Sequence, residues 1–166
     1  MGVVKAKVIK PKRLKEKEMR LELLNGLRAV ARKVTKDYEA TVATWNEKPQ
    51  FETVVSLKGG EAAFLVDTNS KIYEYVDQGT KPHIIRPKRA KRLVFAAGGS
   101  PKTTPRVIGS TGGSRGGTTV YSLGVKHPGT KAREFSKIIS DKWQKQFRNE
   151  MIDSMRRAAA KSGHAK

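Results

Sequence analysis

Apolar residues step along both ends of this chain at helical spacing, and that pattern limits the fold more than any other feature. Met19, Leu23, Leu27, Val30, Val34 and Tyr38 advance by three or four positions. They share one face of an amphipathic helix that runs from Leu14 to about Tyr38. Gly26 interrupts it at a cost of about 1 kcal/mol relative to Ala. Near the other end, Phe135, Ile139, Trp143, Phe147, Met151 and Met155 recur every fourth residue, widened by Ile138 and Ile152. This predicts a second helix from Phe135 to about Ala160, with Lys142, Lys145, Arg148 and Arg156 on its other faces. A stripe of aromatic residues and methionines is first of all a core face, and it also suits packing against a neighbouring subunit.

Between the helices the periodicity shortens. Phe51–Leu57 (FETVVSL), Ala62–Val66 and Lys71–Val76 (KIYEYV) read as strands, separated by the Gly59-Gly60 and Asp67-Thr68-Asn69-Ser70 turns. A basic segment then ends in Leu93-Val94-Phe95, and Thr118–Lys126 is expected to return to the sheet. Gly98–Gly117 is mostly Gly, Ser, Thr and Pro, a composition for a loop that is either disordered or functional. The expected class is α+β: a mostly antiparallel sheet, a long N-terminal helix and a C-terminal amphipathic helix on one face, and a long basic Gly/Ser-rich loop. The organisation follows as a basic N-terminal arm over 1–13, one domain over 14–160 with 98–117 as a flexible insertion, and a frayed tail over 161–166.

Charge narrows the partners. The chain carries 35 Lys+Arg against 15 Asp+Glu, a net of +20. From Gln78 to Arg133 there is no acidic residue and there are twelve bases; the first thirteen residues add five bases and no acid. A one-signed block repels itself and needs solvent, an acidic protein surface or nucleic acid to compensate it. Lys81, Arg86, Lys88, Arg89, Lys91, Arg92, Arg106 and Arg115 are the expected basic contact surface. Pro87–Arg92 (PKRAKR) is also the kind of run that serves as a nuclear signal. No apolar run approaches bilayer length, and the N-terminus has no signal-peptide pattern. Cysteine is absent, which removes disulfide and thiol chemistry.

The residues that would carry catalysis do not assemble into a pattern. His83, His127 and His164 have no cysteine partners and no i, i+4 spacing, so no metal site is expected. GSTGGSRGG lacks the Lys-Ser/Thr end of a phosphate loop. Ser110, Ser114 and Ser122 sit in no nucleophile elbow, and Glu74 and Asp77 read as strand-end residues. No enzyme activity and no cofactor are expected. Zinc-finger, helix–turn–helix and aromatic RNA-binding signatures are likewise missing.

Two segments nearly rhyme: VDQGTKPHIIRPK at 76–88 and VKHPGTKAREF at 125–135. Gly79 and Gly129 permit positive φ, Pro82 and Pro128 stiffen the chain, and Thr80 and Thr130 offer hydroxyls to turn backbone. The pair reads either as two strand-end turns or as corners that lie together and shape a subunit contact. Their order, with Tyr73 and Tyr75 before Gly79-Thr80, then Pro82-His83, Arg86-Pro87, and later His127-Pro128-Gly129-Thr130 and Phe135, resembles the neck or tail-completion proteins of long-tailed bacteriophages. The resemblance spans about Leu14 to Met155, although only the corners are specific, and the Gly/Ser loop and basic N-terminus depart from it. It implies a non-enzymatic virion protein at the head–tail junction, assembled in the host cytoplasm as a homo-oligomeric ring around the DNA path. Implied partners are portal, adaptor or head-closure proteins, tail terminator or tube proteins, and non-specific DNA, with no membrane. Phe135, Ile139, Trp143, Phe147 and Met151 would form the core or subunit face of its last helix. The alternative is a basic, sequence-independent nucleic-acid-binding protein of ribosomal or nucleoid type.

Overall fold

The computed structural model describes residues 13–59, 61–109 and 112–164, so the expected basic arm lies outside them except for Arg13. Helix α1 (Glu16–Thr41) and helix α3 (Phe135–Ala159) pack along each other. Strands β1 (Glu52–Lys58) and β2 (Glu61–Asp67) form an antiparallel hairpin against α1, turning at Gly59 with φ 59°. Helix α2 (Lys71–Gln78), strands β3 (His83–Ile85), β4 (Leu93–Ala97), β5 (Thr118–Ser122) and β6 (Val125–His127) lie between the hairpin and α3. The class is α+β. Its strands form three separate two-stranded antiparallel ladders, β1–β2, β3–β6 and β4–β5, in place of one continuous sheet.

Both helical stripes face inward where they were expected to. Leu27, Val30 and Val34 of α1 and Phe135 and Ile139 of α3 are buried, and Phe64 of β2 meets Phe147 edge-on at 5.7 Å. Trp143 is half-buried, and its Nε1–H donates to Asp37 on α1 at 2.6 Å. The face formed by Phe135, Ile139, Trp143 and Phe147 is therefore largely used within the chain. Toward the C-terminal end the stripe emerges, and Met155 is exposed.

KIYEYV is a correction: it is the first part of α2, not a strand. Ser70 caps the helix by accepting from the Tyr73 N–H at 3.3 Å, and Gly79 leaves it with φ 78°. Tyr73 then plugs the core, its ring 5.1 Å from Phe51 and 6.2 Å from both Trp45 and Phe135. Burial pushes its hydroxyl pKa upward. Glu74 and Asp77 are thus helical, and Asp77 has a distant task. Its carboxylate accepts from the Ser136 N–H at 3.2 Å and the Ser136 hydroxyl at 2.6 Å. That satisfies an orphan donor at the start of α3 and sets negative charge where the helix dipole favours it.

The described part of the tail, 161–164, is built into the fold. A π-helical turn over Ala160–His164 continues α3, with Gly163 at φ 86° redirecting the chain. Ser162 is buried and accepts from the Lys15 N–H at 3.0 Å, so the C-terminal turn holds the start of α1. Glu22, buried on α1, receives Lys161 at 2.6 Å and Arg157 at 3.2 Å. The hydrogen bond from Lys161 holds its carboxyl below the usual carboxylate value. Because the folded pKa is depressed, this contribution is complete above the unfolded value, about 4.3, and is lost as pH falls through the folded one. Glu22→Gln should therefore be less stable than wild type at pH 7. The gap should close in urea melts taken progressively below about pH 4.3.

Gly26 is more than an interruption. It is buried in α1 where a Cβ would collide with the Oγ of Ser154 on α3 and lie 3.2 Å from Glu150 Oε1. Ser154 is fully buried and its Oγ accepts from Arg157 at 2.8 Å, so it cannot rotate away without losing that bond. Overpacking of about 1–3 kcal/mol should outweigh the helix-propensity gain of about 1 kcal/mol. Gly26→Ala is expected to destabilise wild type but to stabilise a Ser154→Ala background, a sign reversal readable in a double-mutant cycle.

Candidate functional site

The two rhyming corners meet. Thr80 and Thr130 form an antiparallel bridge and exchange both backbone hydrogen bonds, at 2.9 and 3.1 Å. The Thr130 N–H also donates to Thr80 Oγ1 at 2.9 Å. Three residues along, His83 pairs with His127 in the β3–β6 ladder, with ring centroids 5.0 Å apart. One register fits both pairings, and it sets Pro82 opposite Pro128. Neither proline has an N–H, so the ladder breaks there and resumes at the histidines.

Each corner is tight for a reason visible in the backbone. Gly79 and Gly129 have φ of 78° and 92°, and each packs against the other corner's threonine carbonyl. The histidines brace the turns through their own backbone. His83 Nδ1–H donates to the Lys81 carbonyl at 2.8 Å, and the Gly129 N–H donates to His127 Nδ1 at 3.0 Å. The two rings thus need opposite tautomers. Below the bridge, the Arg133 and Glu134 N–H groups donate to carbonyls at the end of α2, which ties the corners to α3.

Beyond this root the chain forms a long ribbon. Between the β3–β6 and β4–β5 ladders, seven residues (86–92) on one strand face two (123–124) on the other. This excursion bends the ribbon, as an inserted bulge does, and breaks the expected Thr118–Lys126 strand in two. It carries Arg86, Lys88, Arg89, Lys91 and Arg92, all exposed and without an ion pair among the described residues. Lys81 and Arg115 are exposed as well.

The described residues of the Gly/Ser segment fold back onto the rest of the chain. Ser100 and Ser114 close its neck through N–H···O bonds of 3.0 and 2.9 Å. Its far part returns to the body: Lys102 Nζ donates to the Thr44 carbonyl at 3.1 Å, and the buried Arg133 donates to Thr103 Oγ1 at 3.2 Å. Arg106, still exposed, binds Glu134 at 2.6 Å while its backbone N–H donates to the Arg133 carbonyl. The bond from the Arg106 guanidinium holds the Glu134 carboxyl below its usual pKa. Both residues are left-handed, φ 61° and 54°, a conformation without a sequence signal at Arg or Glu. The ribbon is a handle attached at both ends.

Its strands are poorly covered. Ile84, Val94, Tyr121 and Leu123 are each at least 60% exposed, and Val94 and Tyr121 are cross-strand partners. Neither ladder packs closely on a helix of the body. Among the described residues, no group of three His, Asp or Glu could hold a metal, and no helix is long and apolar enough to cross a membrane. No protein-family model, curated protein or solved structure matches the chain.

Proposed function

We propose that this chain is a non-enzymatic structural subunit of a tailed-phage virion: a neck or tail-completion protein forming a homo-oligomeric ring around the DNA path at the head–tail junction. One observation carries the reading. The described residues of 79–130 build a braced handle whose two-stranded ladders leave Ile84, Val94 and Tyr121 exposed and one edge of each strand unpaired. An isolated two-stranded ribbon is marginal in water, and unpaired edges invite strand pairing from another chain. Such a surface is suited to assembly. The resemblance of the two corners supplies the phage context. Imaging of purified particles should show a ring of this protein at the head–tail joint; finding it only in infected cytosol would sink the reading.

The unpaired bases of residues 86–92 favour a second reading, sequence-independent nucleic-acid binding. Five phosphate contacts on duplex DNA would give a log–log salt slope of about −4 to −5. Such a slope, with no self-assembly in the absence of nucleic acid, would select it.

A further inference from the structure

Charge is segregated along the chain in a way that decides what can cover the handle. Residues 16–77 hold eleven of the fifteen acids against nine bases, whereas 78–133 hold twelve bases and no acid. Two handles would repel each other, which disfavours a symmetric handle-to-handle contact. The body offers the opposite sign at the open end of the β1–β2 hairpin. Glu52 and Asp67 are direct cross-strand partners there, and Glu74 shares a surface concavity with Asp67. Like charges directly opposite are unfavourable in a ladder, and no Lys or Arg of the described residues neutralises these three.

We infer that the handle's uncovered face docks on the body of a second copy of this chain, with Lys88, Arg89, Lys91 and Arg92 seated against Glu52, Asp67 and Glu74. The contact is head-to-tail: each subunit gives a basic handle and receives one on its acidic hairpin end. Contacts of this kind close into rings or run on as filaments. The exposed apolar residues beside the basic excursion, Val94, Tyr121 and Leu123, supply area that charge alone lacks. The inference rests on the handle being an assembly surface, and it names what occupies that surface.

Two charge-reversed variants of the full chain test it by sedimentation. One carries Lys88→Glu, Arg89→Glu, Lys91→Glu and Arg92→Glu; the other carries Glu52→Lys, Asp67→Lys and Glu74→Lys. Wild type should self-associate at low salt and dissociate as salt rises. Each variant alone should be monomeric, with self-affinity reduced at least about 100-fold. An equimolar mixture should recover assembly, because each reversed handle then meets a reversed hairpin end. A monomeric wild type, variants that assemble unaided, or a mixture of folded variants that stays monomeric would each overturn the inference. The absence of native cysteine allows a second measurement that leaves most charges in place. Mixed Arg89→Cys and Asp67→Cys chains should oxidise mainly to the mixed disulfide dimer, and statistical pairing would refute the contact. These arms use purified protein, so their failure is distinguishable from a failure to find the chain in particles.

Discussion

Gly129→Val should open the root of the handle, and Gly79→Val should produce the same defect from the opposite strand. Both glycines have positive φ, where a β-branched side chain is strongly disfavoured. A Cβ on Gly129 would collide with the Thr80 carbonyl, and one on Gly79 would lie 2.6 Å from the Thr130 carbonyl. These are the two acceptors of the Thr80–Thr130 exchange. Left-handed strain of about 1–2 kcal/mol and overpacking of about 1–3 kcal/mol combine to about 2–5 kcal/mol at each position. The handle packs lightly on the body, so the loss should appear first as local opening. Amide exchange at Thr80 and Thr130 should accelerate together in both variants while the α1–α3 amides stay protected. Unchanged protection at the two threonines would show that the corners are ordinary turns.

Phe135→Ala should instead weaken the whole domain. Phe135 is fully buried, touches the Tyr73 ring, and starts the helix that Asp77 caps. Truncating a buried phenylalanine costs about 3–5 kcal/mol from lost transfer energy and the cavity left behind. That is a large share of the roughly 5–15 kcal/mol that stabilises a domain. Urea denaturation followed by far-UV circular dichroism should show a lower midpoint for the entire helical signal. A change of under about 1 kcal/mol would mean that the core closes around the gap.

The two long helices were legible because each repeats one apolar period over more than five turns, long enough to exclude a strand. The β1–β2 hairpin was legible from its β-branched and apolar runs and its Gly59-Gly60 turn. KIYEYV misled because the eight residues of α2 span barely two helical turns, and its aromatic and β-branched side chains suit a strand as well. Ser70 before it and Gly79 after it were the available signals, a cap and a left-handed exit. The rhyming corners showed in the sequence as similar segments, and their glycines, prolines and histidines announced turns. One reading already placed them together, and the Thr80–Thr130 bridge bears that out; their spacing did not give the register of the pairing across some fifty residues. The ion pair of Arg106 left no sequence signal because its carboxylate, Glu134, is 28 residues away and joins it only after the loop folds back.

By itself, the sequence determined the two long helices, the first hairpin, the turn chemistry of the corners and the separation of charge, since each depends on neighbours within a few residues. Only the tertiary structure decided the rest. It turned Asp77 and Ser162 into caps for helices that begin 58 residues after one and 146 residues before the other. It made Gly26 a contact point, bent the ribbon at residues 86–92 and tied the Gly/Ser loop to α3. Hydrogen bonds, close approaches and positive-φ corners between distant residues leave no period in a chain, because geometry brings their partners together only once the core has formed.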